Sequence, residues 1–246
     1  MKFAFLLSIL LFVSASGYTQ SNSQDSLTSQ KPIDTVKEDF SDDWATLSRY
    51  QEENKLLGKP KRGEKRVVFL GSSIFERWKL LMPEFFNNKP YLDRGISGQI
   101  SPQLLVRFKQ DVIDLHPKVV IILAGSNDIA ANHGHITNQT IMDNIDIMVE
   151  LAKLHHIRVI LCACLPVYDY PWRKGLQPAG KIMALNGLIK DYVRSKRLVL
   201  LDYFTPFADE RNGQKAELTT DGVHPNEAGY HIMASITEEA IHKIIN

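Results

Sequence analysis

The chain has 246 residues, 44% of them hydrophobic and 23% charged, enough apolar material for one globular domain with a substantial core. Lysine and arginine number 29 against 28 aspartate and glutamate, and no basic run is interleaved with aromatics, so nothing points to a phosphate-tracking surface and nucleic acid is set aside as a partner. The two cysteines are too few for a disulfide framework.

Met1-Lys2, the apolar run Phe3 to Val13 and the small residues Ser14 to Gly17 have the three regions of a secretory signal peptide, so residues 1–17 are read as a leader cut near Gly17. The apolar run is about half of the roughly 20 residues that span a bilayer, and no Cys follows the small residues, so no stable membrane anchor is expected. The protein is expected to be exported, to the periplasm or beyond the cell. Residues 18–40 are rich in Ser, Gln, Asp, Thr and Lys and poor in apolar side chains, which predicts a flexible linker. Residues 41–246 are then one catalytic domain. It opens on an amphipathic helix over Asp42 to Leu57, whose Trp44, Leu47, Tyr50 and Leu56 recur at helical spacing and would pack on the remainder of the domain.

Beyond it, β-branched runs predict strands at Arg66–Leu70, Tyr91–Gly95, Lys118–Leu123, Arg158–Cys164 and Leu198–Asp202. Periodic stretches predict helices at Pro102–Leu115, Asn138–His155, Ala179–Lys196 and Asn226–Ile245. Strand–helix alternation predicts an α/β fold, a three-layer α/β/α sandwich on a parallel sheet, in which ligands bind beyond the carboxyl ends of the strands. Cys162 and Cys164 fall on one face of the fourth strand and are expected to be reduced core residues.

The chemistry-bearing residues fall at those carboxyl ends. Ser73 follows Val67-Val68-Phe69-Leu70-Gly71, in a strand-to-helix turn that directs backbone N–H groups at its hydroxyl; the plainer reading of Ser72 or Ser73 is a helix cap. His224 stands three residues after Asp221 in Asp221-Gly222-Val223-His224-Pro225, a loop that can bring the carboxylate to Nδ1 and leave Nε2 to accept a proton. Asn127, in Gly125-Ser126-Asn127-Asp128, offers an amide donor, and Gly98, in Gly95-Ile96-Ser97-Gly98, an unshielded backbone N–H; each could instead serve only its own turn. Together these pieces make a coincidence of local turns a poor explanation.

Taken in order, these blocks resemble the SGNH, or GDSL-type, hydrolases, nearest the platelet-activating-factor acetylhydrolase-like branch, over Arg66 to the C-terminus. The resemblance implies a flavodoxin-like sandwich with a five-stranded parallel sheet, Ser73 as nucleophile, Asp221 and His224 completing a triad, and an oxyanion hole from the Ser73 N–H, the Gly98 N–H and the Asn127 side chain. It implies no metal and no organic cofactor. The position before the nucleophile, usually Asp in that family, is Ser72 here; the Gly-x-Ser register and Ile74 favour Ser73 as the attacking residue.

Tyr168, Tyr170 and Trp172 follow the fourth strand and are candidates to stack on a sugar or hold an acyl chain, or else simply cover the core edge. Trp78 is expected to pack, and His133 and His135, without acidic or Cys partners, to lie at the surface. The expected function is a secreted serine esterase acting on short, acetyl-type esters of a small molecule or glycan. A lysophospholipase or thioesterase for longer chains is the enzyme alternative, and a non-catalytic glycan-binding module the alternative of another class. Oligomeric state is not legible from the sequence.

Overall fold

Five apolar runs form the strands β1 (Val67–Gly71), β2 (Tyr91–Gly95), β3 (Val119–Ile122), β4 (Arg158–Ala163) and β5 (Val199–Asp202) in the computed structural model, which describes residues 41–245. The expected leader and linker, residues 1–40, lie outside the described residues. All five strands pair in parallel in the order β2-β1-β3-β4-β5. β1 and β3 are buried along their whole length, which is why they read as continuous apolar runs rather than alternating ones; the edge strands β2 and β5 are only partly covered.

Between the strands run α2 (Ser73–Leu81), α3 (Pro83–Phe86), α4 (Ser101–Asp111), α5 (Ser126–Ile129), α6 (Asn138–Leu154) and α7 (Pro178–Lys196), with α8 (Glu227–Ile245) last and α1 (Gln51–Leu57) ahead of the sheet. α2 links β1 to β2 and α4 links β2 to β3 in opposite directions along the sheet, so right-handed crossovers put them on opposite faces. α6 and α7 continue in the direction of α4, α6 packing beside α4 and α7 beside α6. On the other face Trp78 of α2, wholly buried, stacks on Tyr230 of α8 with ring centroids 5.7 Å apart, and the Tyr230 hydroxyl donates to Ile74 O at 2.8 Å. The architecture is the expected three-layer sandwich. Trp78 belongs to an aromatic cluster with Phe69, Phe75, Phe85 and Phe86.

Two expected helices change. The helix expected over Pro102–Leu115 ends at Asp111 and resumes as a 3₁₀ turn, Ile113–Leu115. The one expected over Asp42–Leu57 is confined to Gln51–Leu57 and buries none of its residues. Trp44 is 51% and Leu56 88% exposed. The reason is local competition: the Asp43 carboxylate accepts the Ser48 N–H at 2.8 Å and Thr46 takes a positive φ, so residues 41–50 fold as turns. The segment docks through polar contacts. Ala45 O accepts from Gln99 Nε2 at 2.7 Å, Trp44 O from Gln103 Nε2 at 2.5 Å, Leu47 O from Gln110 Nε2 at 2.7 Å, and the Tyr50 hydroxyl donates to Gly95 O at 2.5 Å.

Cys162 and Cys164 are buried and not disulfide-bonded; burial pushes the Cys164 thiol up to about 12, so it stays protonated and inert. Asp93 on β2 is buried, its Oδ1 accepting the Gly95 N–H at 2.9 Å. Burial pushes its carboxyl up to about 7, against that hydrogen bond and the charges of Lys79 and Arg94. Unfolded, the group ionises near 3.8, so between that value and about 7 the native state holds a proton that the unfolded chain has lost, and stability falls as pH rises through this window. Asp93→Asn is expected to remove this contribution, up to about 1.4 kcal/mol per pH unit where steepest. Urea midpoints taken from pH 4 to pH 8 should therefore fall more steeply for the parent than for the variant.

Candidate active site

The site forms where β1, β2 and β3 end. Gly95 closes β2 where a Cβ would lie 2.4 Å from Glu76 N and 2.7 Å from Ser72 O, so only glycine lets that strand end approach the β1–α2 turn. Ser73 is the first residue of α2, where its N–H precedes the first intrahelical hydrogen bond and points along the positive end of the helix. Ser72 occupies the cap position without a side-chain cap bond. Ser73 Oγ lies 2.9 Å from His224 Nε2, and His224 Nδ1 lies 2.7 Å from Asp221 Oδ2.

The loop carrying Asp221 and His224 is folded onto itself. His224 O accepts from Thr219 Oγ1 at 2.8 Å and from Thr220 N at 3.0 Å, and Asp221 Oδ1 accepts the backbone N–H groups of His224 at 2.8 Å and Val223 at 3.0 Å. One carboxylate oxygen thus shapes the loop while the other orients the ring. Burial works against the Asp221 charge, but the hydrogen bonds from His224 and Val223 outweigh it and hold the carboxyl below its ordinary value. A carboxylate only accepts, so Nδ1 carries the hydrogen and Nε2 is left to accept from Ser73. Asn226 Oδ1 then takes the Gly229 N–H at 3.0 Å and starts α8.

Gly98 has φ +79 with nothing near the place of a Cβ, a backbone conformation that favours glycine. Asn127 is buried, and its Nδ2 donates to Gln99 O at 3.0 Å. The neighbouring Asp128 accepts Ser101 N at 2.9 Å and Ser101 Oγ at 2.6 Å, fixing α5 against the start of α4; burial pushes its carboxyl up despite those bonds.

Of the three aromatics expected at the rim, Trp172 is half exposed with its ring centroid 6.2 Å from that of His224. Tyr170 corrects the expectation: it is wholly buried, its hydroxyl 2.7 Å from Ser126 O and 3.1 Å from Ser126 Oγ, so it braces the Asn127 turn and cannot stack on a ligand. Tyr168, half exposed, lies against Gly213 with the Arg211 guanidinium 4.7 Å over its ring. His133 and His135 are exposed, and no cluster suited to a metal ion occurs among the described residues.

Sequence reasoning did not single out Gln99, Arg107, Asp128 or Asn132. Arg107, wholly buried, donates to Gln99 Oε1 at 2.6 Å, Gly71 O at 2.8 Å, Arg94 O at 2.7 Å and Asp111 Oδ2 at 3.0 Å, tying together the ends of β1 and β2 and the Gly98–Gln99 loop. Open cavities of about 670 and 510 Å³ lie at the opposite end of the sheet, where the strands begin, beside Lys118 and Arg158. At the site's own edge is a cavity of about 10 Å³ lined by Ile74, Leu123, Leu165 and Val167 together with Ser72 and Asn127.

The arrangement can pass a proton from a hydroxyl to a carboxylate-oriented imidazole. The chain is similar in structure to a Bacteroides fragilis protein assigned as an acylhydrolase, at 40% identity over 85% of this chain and 100% of that one with a TM-score of 0.82. It is likewise similar to a GDSL-like lipase from Bacteroides thetaiotaomicron, at 41% identity over 82% of this chain and 100% of that one with a TM-score of 0.81. An uncharacterized lipoprotein of Bacillus subtilis, YqeF, is 32% identical over 85 residues, 33% of this chain and 35% of that one, so the match spans about a third of the lipoprotein's length. A model of the GDSL-like lipase/acylhydrolase family matches residues 69–232, most of the sheet and both ends of the site, and the chain belongs to that family.

Proposed function

We propose that the chain is an exported serine esterase that cleaves short acyl esters, with a carbohydrate as the preferred alcohol. The observation that carries the reading is the unbroken line from Ser73 Oγ to His224 Nε2, 2.9 Å, and from His224 Nδ1 to Asp221 Oδ2, 2.7 Å. In the proposed reaction His224 takes the Ser73 proton as Oγ attacks the ester carbonyl. The Ser73 and Gly98 N–H groups and the Asn127 amide receive the oxyanion, and His224 then protonates the leaving alcohol. Water, deprotonated by the same imidazole, releases the acid and restores Ser73.

Two features support the substrate class. The cavity of about 10 Å³ beside Ser72 and Asn127 is no larger than a single water needs, so it offers no room there for a long acyl chain. Trp172 offers a half-exposed ring beside His224 on which a sugar face can lie. Export is supported by the leader-like composition of residues 1–17 and by the likeness to a lipoprotein.

The test is hydrolysis of p-nitrophenyl esters from acetate to decanoate at neutral pH, with a fluorophosphonate probe whose adduct is located by fragmentation mass spectrometry. Activity greatest on acetate, lost in proportion to labelling of Ser73, is the expected result. A maximum at octanoate or decanoate would replace the short-acyl reading with the long-chain one. Neither turnover nor labelling would leave a binding module.

A further inference from the structure

From the rim to the proposed oxyanion hole, an indole and two amides form a line of hydrogen bonds. Trp172 Nε1 donates to Asn132 Oδ1 at 3.2 Å. Asn132 Nδ2 donates to Asn127 Oδ1 at 3.1 Å and lies 3.4 Å from Gly98 O. Asn127 Nδ2 donates to Gln99 O at 3.0 Å.

An indole N–H can only donate, so the line has a direction. Asn132 must turn its oxygen to Trp172 and its nitrogen to Asn127. Asn127, its oxygen thus engaged, must turn its nitrogen to Gln99 O, and the second hydrogen of that nitrogen remains for a ligand. Reversing either amide would set acceptor against acceptor at one end and donor against donor at the other. An asparagine amide on a broad χ2 well has no such preference of its own.

The backbone around Asn132 is itself held in place. Asn132 N donates to Asn127 O at 3.2 Å, Ala131 takes a positive φ, and Arg173, next to Trp172, donates to Ala130 O at 2.9 Å and also to Ala131 O. The loop after α5 is therefore latched to the loop that carries the indole.

We infer that Asn132 is a positioning residue for catalysis, holding the Asn127 amide, together with the Gln99 carbonyl, so that an N–H faces the oxyanion, and that the Trp172 N–H sets the direction of the Asn132 amide. The inference rests on the reading of Asn127 as an oxyanion donor. It gives Trp172 a role separate from contact with the substrate.

The experiment is a set of mutant cycles on p-nitrophenyl acetate, reading kcat and KM separately. Asn127→Ala is expected to lower kcat by about 10²- to 10³-fold. Asn132→Asp, which keeps the shape but loses the donor, should lower kcat by about 10²-fold with KM nearly unchanged, and Trp172→Phe, which keeps the ring but loses the N–H, by about 5- to 10-fold. In the Asn127→Ala background both substitutions should cost less than about twofold more, because the amide they orient is gone. Asn132→Gln, which can still donate, should recover part of the loss. Losses that multiply in the Asn127→Ala background would overturn the positioning role, since a general structural defect persists there. A rise in KM without a fall in kcat for Trp172→Phe would overturn the role of the indole N–H and leave Trp172 as a substrate platform. Full activity of Asn127→Ala would overturn the oxyanion role of Asn127, and the positioning role of Asn132 with it.

Discussion

Ser73→Ala is expected to lower kcat on p-nitrophenyl acetate by about 10⁴-fold or more, leaving only what the proposed oxyanion donors and substrate binding sustain. Ser72→Ala is expected to stay within a few-fold of the parent. The two hydroxyls are neighbours in sequence, but Ser73 Oγ is the one 2.9 Å from His224 Nε2, and Ser72 makes no side-chain cap bond whose loss would disturb α2. Thermal midpoints for both variants should match the parent, which separates loss of the nucleophile from loss of the fold. A dead Ser72→Ala beside an active Ser73→Ala would move the attack to Ser72 and require the turn to rearrange.

The second large effect is on stability. Arg107→Met is expected to cost about 3–5 kcal/mol, as for other buried charges deprived of their partner. It leaves the buried Asp111 carboxylate without its counter-charge, with only the Asn54 amide still donating to Oδ1 at 2.7 Å, and takes a donor from Gly71 O, Arg94 O and Gln99 Oε1. Urea denaturation followed by tryptophan fluorescence is the direct measurement. Adding Asp111→Leu should recover part of the loss by removing the stranded charge, but not all, because Gly71 O, Arg94 O and Gln99 Oε1 still lack the hydrogen bond that Arg107 supplied. A midpoint unchanged by Arg107→Met would mean that the guanidinium braces nothing.

The sheet is legible in the sequence because parallel strands covered on both faces leave uninterrupted apolar runs, as in Val67-Val68-Phe69-Leu70 and Val119 to Ile122. Ser73, Gly98, Asn127, Asp221 and His224 stand out because they follow strand ends or precede the last helix, where few other residues of that chemistry compete. What stays hidden is polar and long-range. Asp42–Leu57 has helical spacing, but its docking is by main-chain carbonyls of Trp44, Ala45 and Leu47 on glutamine side chains, which no apolar periodicity registers. Arg107 and Asp111 fall four apart on the stripe that also holds Leu104 and Phe108, a charge on an apolar face that is the one local signal of the buried ion pair, but its partners on β1, β2 and the Gly98–Gln99 loop leave no such trace. Asn132 carries no local signal: its partners come from other loops. Tyr170 and Trp172 are two apart in one aromatic run, and only the fold sends one inside and leaves the other at the rim.

Ser73 and His224 meet across 151 residues, one following β1 and the other preceding α8, and the stacking of Trp78 on Tyr230 with the bond to Ile74 O clasps their two helices. A refolding chain that has built β1 to β3 but not yet docked α8 holds its serine and three-fifths of its sheet without an imidazole in reach. Recovery of esterase turnover therefore reports the closing of this long-range clasp rather than the appearance of helices and strands, and circular dichroism should regain its native signal ahead of turnover in any refolding reaction that passes through such a species.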